Sequence, residues 1–123
     1  MSSRFLAALL CALVCRVLHA APIPAGPGTF ECPNGTEPIT VFTYKPPTYQ
    51  DGPLLVVCHG VARNAEDYRN FAITLAERFG AIVVAPLFDK DRFPSLRYQR
   101  GGLLDPQGKI QPADTWTYAV IPK

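Results

Sequence analysis

The chain has 123 residues and a formal net charge of +2, which leaves room for one small domain. Arg4 and Arg16 account for that excess, and from Ala21 onward ten Lys/Arg balance ten Asp/Glu. A neutral body gives no electrostatic reason to bind nucleic acid or anionic lipid, so neither is expected as a partner.

Met1–Ala20 reads as a secretory signal peptide. Arg4 supplies the positive start, Phe5 to Cys15 is an unbroken apolar run, and Val17-Leu18-His19-Ala20 offers a small residue for cleavage. Arg16 holds the apolar stretch to about a dozen residues, too few to cross a bilayer core of ~30 Å as a helix. The expected destination is therefore secreted or periplasmic, with no stable membrane span. Cys11 and Cys15 leave with the signal, and Cys32 and Cys58 remain. Export permits a disulfide between them, but two cysteines fix no geometry, so paired and free thiols both stay open. All 13 prolines follow the signal, which suits ordered loops between short elements.

Residues 21–38 read as an extended lead-in, with a turn at Pro33-Asn34-Gly35 inside a glycosylation sequon, Asn34-Gly35-Thr36. Ile39 to Tyr44 is β-branched and aromatic and predicts a strand, stopped by Pro46 and Pro47. Leu54 to Cys58 is continuously apolar, as in a strand covered on both faces. His59-Gly60 ends it. Asn64 is placed to cap a helix, with Glu66 and Asp67 in its first turn where the helix dipole favours negative charge. Tyr68, Phe71, Ala72, Leu75, Ala76 and Phe79 follow helical spacing as one apolar stripe. Gly80 closes the helix, and Ala81 to Ala85 is a second buried strand before Pro86. Strand, helix and strand within ~30 residues make a βαβ unit with parallel strands. Leu87 to Ala113 shows no helical period, apart from a turn at Asp105-Pro106-Gln107-Gly108. A further helix is expected to start at Asp114 or Thr115 and run through Trp116.

Chemistry concentrates where the first buried strand ends. In an open parallel sheet, ligands bind beyond the carboxyl ends of the strands. His59-Gly60-Val61-Ala62 is such an edge. Acyl transfer needs fixed N–H donors there for the oxyanion of the tetrahedral intermediate, each worth ~3 kcal/mol. Val61 is the first choice for the donor and Ala62 the second. His59 and Gly60 shape the turn, and His59 is not read as a general base.

The run Leu54-Leu55-Val56-Val57-Cys58-His59-Gly60 resembles the third strand and His-Gly oxyanion turn of the α/β-hydrolase superfamily. The helix ending at Gly80 and the strand ending at Pro86 are similar to the elements that follow in that family. Within the superfamily, a His-Gly turn in an exported chain resembles the secreted esterase and polyhydroxyalkanoate-depolymerase-like branch. The resemblance covers residues 39–123. It implies an α/β class with a mostly parallel sheet and helices on both faces, present as an amino-terminal half. It also implies a serine ester hydrolase acting on a small-molecule or polymer ester, with no cofactor and no metal.

The family's G-x-S-x-G elbow is not in these residues, so the fold is read as truncated before the nucleophile. After the signal the only serine is Ser95, in Phe93-Pro94-Ser95-Leu96, and the only histidine is His59. Nucleophile, acid and base are not all present, and the chain alone is expected to be inactive. The alternative is a small exported binding or scaffolding domain that never catalysed anything.

Three other patterns read as ordinary structure. Asp89-Lys90-Asp91-Arg92 is a solvated ion-pair loop, since two carboxylates are too few for calcium. Tyr98-Gln99-Arg100-Gly101-Gly102 has no strand before it and no Lys-Ser/Thr after it, so it is not a phosphate loop. Phe88, Phe93, Tyr98 and Trp116 read as core more readily than as pocket lining.

Overall fold

A computed structural model describes residues 22–34 and 37–121. The signal peptide expected at 1–20, and Gly35 and Thr36 of the sequon, lie outside them. The described strands are β1 (Gly26–Cys32), β2 (Ile39–Lys45), β3 (Leu54–Val56) and β4 (Ile82–Pro86), in spatial order β1-β2-β4-β3. β1 pairs antiparallel with β2, β2 antiparallel with β4, and β4 parallel with β3. The expected βαβ unit is therefore present, with its strands parallel. The described sheet is mixed, however, and its parallel character is confined to the β3–β4 pair.

All of β1 falls within the expected lead-in at 21–38, and its identity as a strand comes from pairing. Its register on β2 runs from Gly26 opposite Lys45 to Cys32 opposite Ile39. Its residues are mostly exposed or half-buried, so no alternation of apolar and polar residues marks it in the sequence. Cys32 and Cys58 are both free thiols.

β3 is shorter than Leu54–Cys58 and lies at the sheet edge. The Val57 N–H still donates to the Val84 carbonyl at 2.9 Å, so the parallel pairing runs one residue further. The two faces of β3 differ. Leu55 and Val57 pack with Val83, Ala72 and Ala76 under the helices. Leu54 and Val56 face the other way and are 61% and 36% exposed. They border an apolar groove of about 280 Å³ with Phe30, Ile39, Val41 and Val84. Among the described residues helices flank both faces, but unequally: the helical segment after β3 covers one face, and the other carries only the short helix Ser95–Gln99 at its far end. At the far end of the open face, Ile39 and Val41 pack against Phe88, Phe93 and Tyr98.

The expected helix is two segments, α1 (Ala65–Phe71) and α2 (Ile73–Phe79), joined at Ala72. Its period is right, but the buried face is rotated from the stripe read in the sequence. Ala65, Arg69, Ala72 and Ala76 are buried, whereas Phe71, Leu75 and Phe79 are 74%, 49% and 62% exposed. Small alanines bring the helix backbone close to the sheet. Arg69 can be buried because its guanidinium is satisfied: Nη1 donates to the Thr43 carbonyl at 2.8 Å and Nη2 to Glu66 Oε1 at 3.0 Å. Asn64 stands at the N-cap position but makes no capping bond, and its Nδ2 donates to Asp67 Oδ2 at 2.9 Å. Gly80 ends α2 in the left-handed region at φ 59°, the conformation that favours glycine.

Beyond β4, two expectations change. A short helix, α3 (Ser95–Gln99), forms in the stretch read as irregular. Five residues are too few to display a period. The helix expected from Asp114 or Thr115 is instead two 3-10 turns, Ala113–Thr115 and Thr117–Val120. Trp116 interrupts them with an extended backbone, and its Nε1 donates to the Gln111 carbonyl at 3.0 Å. The turn at Asp105 is as read, closed by Gly108 N–H to the Asp105 carbonyl at 3.0 Å. No helix among the described residues is long and apolar enough to cross a membrane.

An apolar edge strand invites pairing with another chain. The purified chain is expected to self-associate, with its apparent mass rising with concentration in sedimentation. Val56→Lys, which puts a charge on the open face of β3, should move it towards the monomer. A wild-type chain that stays monomeric and unfolds in one sharp, reversible step would contradict this.

Candidate active-site turn

The turn between β3 and α1 begins with a buried histidine. His59 is 4% exposed, and both its ring nitrogens are engaged. Phe88 N–H donates to His59 Nε2 at 2.9 Å. Nε2 is therefore the unprotonated acceptor, and Nδ1–H donates to the Gly60 carbonyl, also at 2.9 Å. The ring stacks on Tyr98, with centroids 4.8 Å apart, and meets Phe88 edge-on at 6.1 Å. The Tyr98 hydroxyl donates to the His59 carbonyl. Burial holds the imidazole below its ordinary pKa and outweighs the opposing bond to Gly60, and the nearby Arg63 charge pushes the same way. This neutral ring has no free nitrogen with which to take a proton. It acts as a brace between the turn and the segment after β4.

Arg63 is the residue the sequence did not single out. Its N–H donates to the Gly60 carbonyl at 3.2 Å and closes the turn, with its own backbone left-handed at φ 60°. The guanidinium crosses to the segment after β4: Nη1 donates to the Phe88 carbonyl at 3.0 Å and Nη2 to the Phe93 carbonyl at 2.7 Å. It lies 4.2 Å from the centre of the Tyr98 ring. The fully buried Phe88 thus has its amide and its carbonyl satisfied by two side chains of the turn. The Tyr98 hydroxyl, desolvated and beside Tyr118, has its pKa pushed well up. The Cys58 thiol is raised by partial desolvation.

His59, Gly60, Val61 and Ala62 are brought together at the carboxyl end of β3. Val61 is 60% exposed and Ala62 is also exposed. Neither backbone N–H has an acceptor among the described residues. Gly60 is not in the left-handed region, and the positive φ falls on Arg63. What confines Gly60 is packing, since a Cβ there would lie 3.1 Å from the Tyr68 hydroxyl.

The remaining candidates fall where ordinary structure puts them. Phe88, Phe93 and Tyr98 are buried core. Asp89 Oδ2 pairs with Arg92 Nε at 2.6 Å, and Arg92 also reaches Glu37 at 3.5 Å. Burial works against the Asp89 carboxylate, but the hydrogen bonds and charge of Arg92 outweigh it and lower its pKa. Ser95 is exposed and opens α3 after Pro94, not at a turn following a strand.

Solved structures share this fold. A poly(3-hydroxybutyrate) depolymerase, LpqC from Bordetella parapertussis, matches with a TM-score of 0.69 and 38% identity over 80% of this chain. Poly(aspartic acid) hydrolase-1 from Sphingomonas sp. KT-1 matches with a TM-score of 0.71 and 32% identity, also over 80%. The chain belongs to the α/β-hydrolase superfamily. It spans 35% and 39% of the lengths of those two α/β-hydrolases. No protein-family model and no curated protein matches it.

A buried neutral histidine in this α/β-hydrolase makes stability depend on pH. Its folded pKa lies below the ordinary imidazole value of 6.5. Its contribution is complete above pH ~6.5 and is lost as pH falls from there towards the folded pKa, because the unfolded chain takes up the proton first. Urea titrations should show stability falling below pH ~6.5, and His59→Gln should flatten that slope. An unchanged slope in the variant would show that His59 is not the group responsible.

Proposed function

We propose that this chain supplies the oxyanion turn of an exported serine ester hydrolase whose nucleophile, acid and base lie outside the described residues. The observation that carries the reading is the pair of unpaired amides, Val61 and Ala62, on a turn fixed at both ends. In the proposed reaction, a serine hydroxyl outside this segment loses its proton to a base and bonds to the ester carbonyl carbon. The carbonyl electron pair moves onto oxygen, where Val61 N–H and then Ala62 N–H donate to it. Collapse expels the alcohol, and water releases the acid from the acyl-enzyme. Donors already in place need no reorganisation as the charge develops, which is why such a turn accelerates the step.

The substrate class is a small-molecule or polymer ester. The similarity to a poly(3-hydroxybutyrate) depolymerase favours the polymer. Export rests on the signal pattern of Met1–Ala20. The other reading is a non-catalytic exported domain. Two measurements separate them.

Purified Ala21–Lys123 should release no p-nitrophenol from short acyl esters above background. Turnover that survives Ser95→Ala would reveal a nucleophile elsewhere in the chain. In an ester hydrolase carrying this segment, Gly60→Val sets branched carbons against the Tyr68 hydroxyl and displaces the turn. It should lower kcat by ~10²-fold or more in the folded fraction. Near-normal kcat in that fraction would end the oxyanion assignment and favour the non-catalytic domain.

A further inference from the structure

We infer that Arg63 is the positioning residue of the oxyanion turn: its guanidinium, bonded to the Phe88 and Phe93 carbonyls, fixes the Val61 and Ala62 amides in place. This inference rests on the function proposed above and assigns that function's geometry to one side chain.

The turn has four residues, Gly60 to Arg63, and its central pair is Val61 and Ala62. Its first residue is held through its carbonyl, which accepts from His59 Nδ1 at 2.9 Å and from Arg63 N–H at 3.2 Å. Its last residue is held by the reach of Arg63 to Phe88 and Phe93, 25 and 30 positions further along the chain. Between these anchors the central amides have little freedom. Neither Val61 nor Ala62 buries enough surface to fix itself.

Arginine is an uneconomical choice here unless its head group is needed. A left-handed backbone is more readily adopted by glycine or asparagine. Arg63 Nε is buried with no hydrogen-bond partner among the described residues. What arginine offers is a planar fork that spans two carbonyls while its face lies on an aromatic ring. All of these features are present: two carbonyls on two different nitrogens, and the Tyr98 ring at 4.2 Å. A lysine ammonium reaches one carbonyl as a point charge and does not stack in the same way. Both carbonyls belong to the segment that also presents Phe88 N–H to His59, so a single tie aligns the turn and its brace. Arg63 acts through the backbone of Val61 and Ala62 and does not itself meet the substrate.

Two variants test this. Arg63→Gly keeps the left-handed backbone accessible and removes the guanidinium, and Arg63→Lys keeps the charge and removes the fork. The first readout is the ¹⁵N order parameter of the Val61 and Ala62 amides in the full chain. It should fall from about 0.85 to below about 0.6 in both variants, with α1 and β4 unchanged. The second is steady-state kinetics in an ester hydrolase carrying the segment, where kcat should fall at least ~10-fold and KM stay within about twofold, as for an interaction made only in the transition state. Amides that remain rigid in both variants overturn the inference whatever the rates do, as does full rescue by lysine. Amides that loosen with no loss of kcat would leave Arg63 as the tie but sink the oxyanion reading, so the two failures are distinguishable. Should Arg63→Gly not fold, Arg63→Lys carries both readouts alone.

Discussion

The arrangement at the carboxyl end of the sheet depends on a buried imidazole with a fixed tautomer. His59 Nε2 accepts from the Phe88 amide while Nδ1 donates to the carbonyl of the next residue. The two roles are not interchangeable, because a protonated Nε2 would face an N–H with nothing to accept from it. The strand end, the turn and the segment after β4 are therefore joined through one side chain. The Tyr98 hydroxyl on the His59 carbonyl and the Arg63 fork on Phe88 and Phe93 add to the same joint. Breaking any of these bonds leaves a buried polar group unsatisfied, which typically costs about 1–3 kcal/mol. The turn thus gains its rigidity from contacts far away in sequence.

The rest of the structure has two different sides. Alanines and a paired arginine bring α1 and α2 close to one face of the sheet. The opposite face shows Leu54 and Val56, and the outer side of the helix shows Phe71, Leu75 and Phe79. Apolar surface open on two sides is uncommon on a free-standing domain. It fits a chain that covers 35% and 39% of the lengths of the two α/β-hydrolases it matches.

Much of this was legible in the sequence. Strand β2, the parallel pair β3 and β4, the capping Gly80 and the exposed turn at Val61 and Ala62 all follow from local pattern. What was hidden depended on distant partners. β1 is a strand because β2 pairs with it, and its own residues alternate poorly. Of the helix stripe, Ala72 and Ala76 are buried as expected while Phe71, Leu75 and Phe79 are exposed, because close packing against the sheet favours small side chains. The burial of Arg69 has no local signal, because its acceptor, the Thr43 carbonyl, lies 26 residues away. Arg63 was overlooked for the same reason, since both its acceptors come from another segment. One signal was available: a charged residue between the His59-Gly60 turn and a helix start, where asparagine or glycine would suit a turn better.

The most direct test of the account is the protonation state of His59 at neutral pH. Long-range proton–nitrogen NMR correlations on the imidazole distinguish the two neutral tautomers and the cation. A neutral ring with the proton on Nδ1 and an unprotonated Nε2, hydrogen-bonded by the Phe88 amide, is the predicted result. A ring protonated at Nε2, or a charged imidazolium, would contradict the brace on which the turn, its Arg63 tie and the proposed oxyanion site all rest.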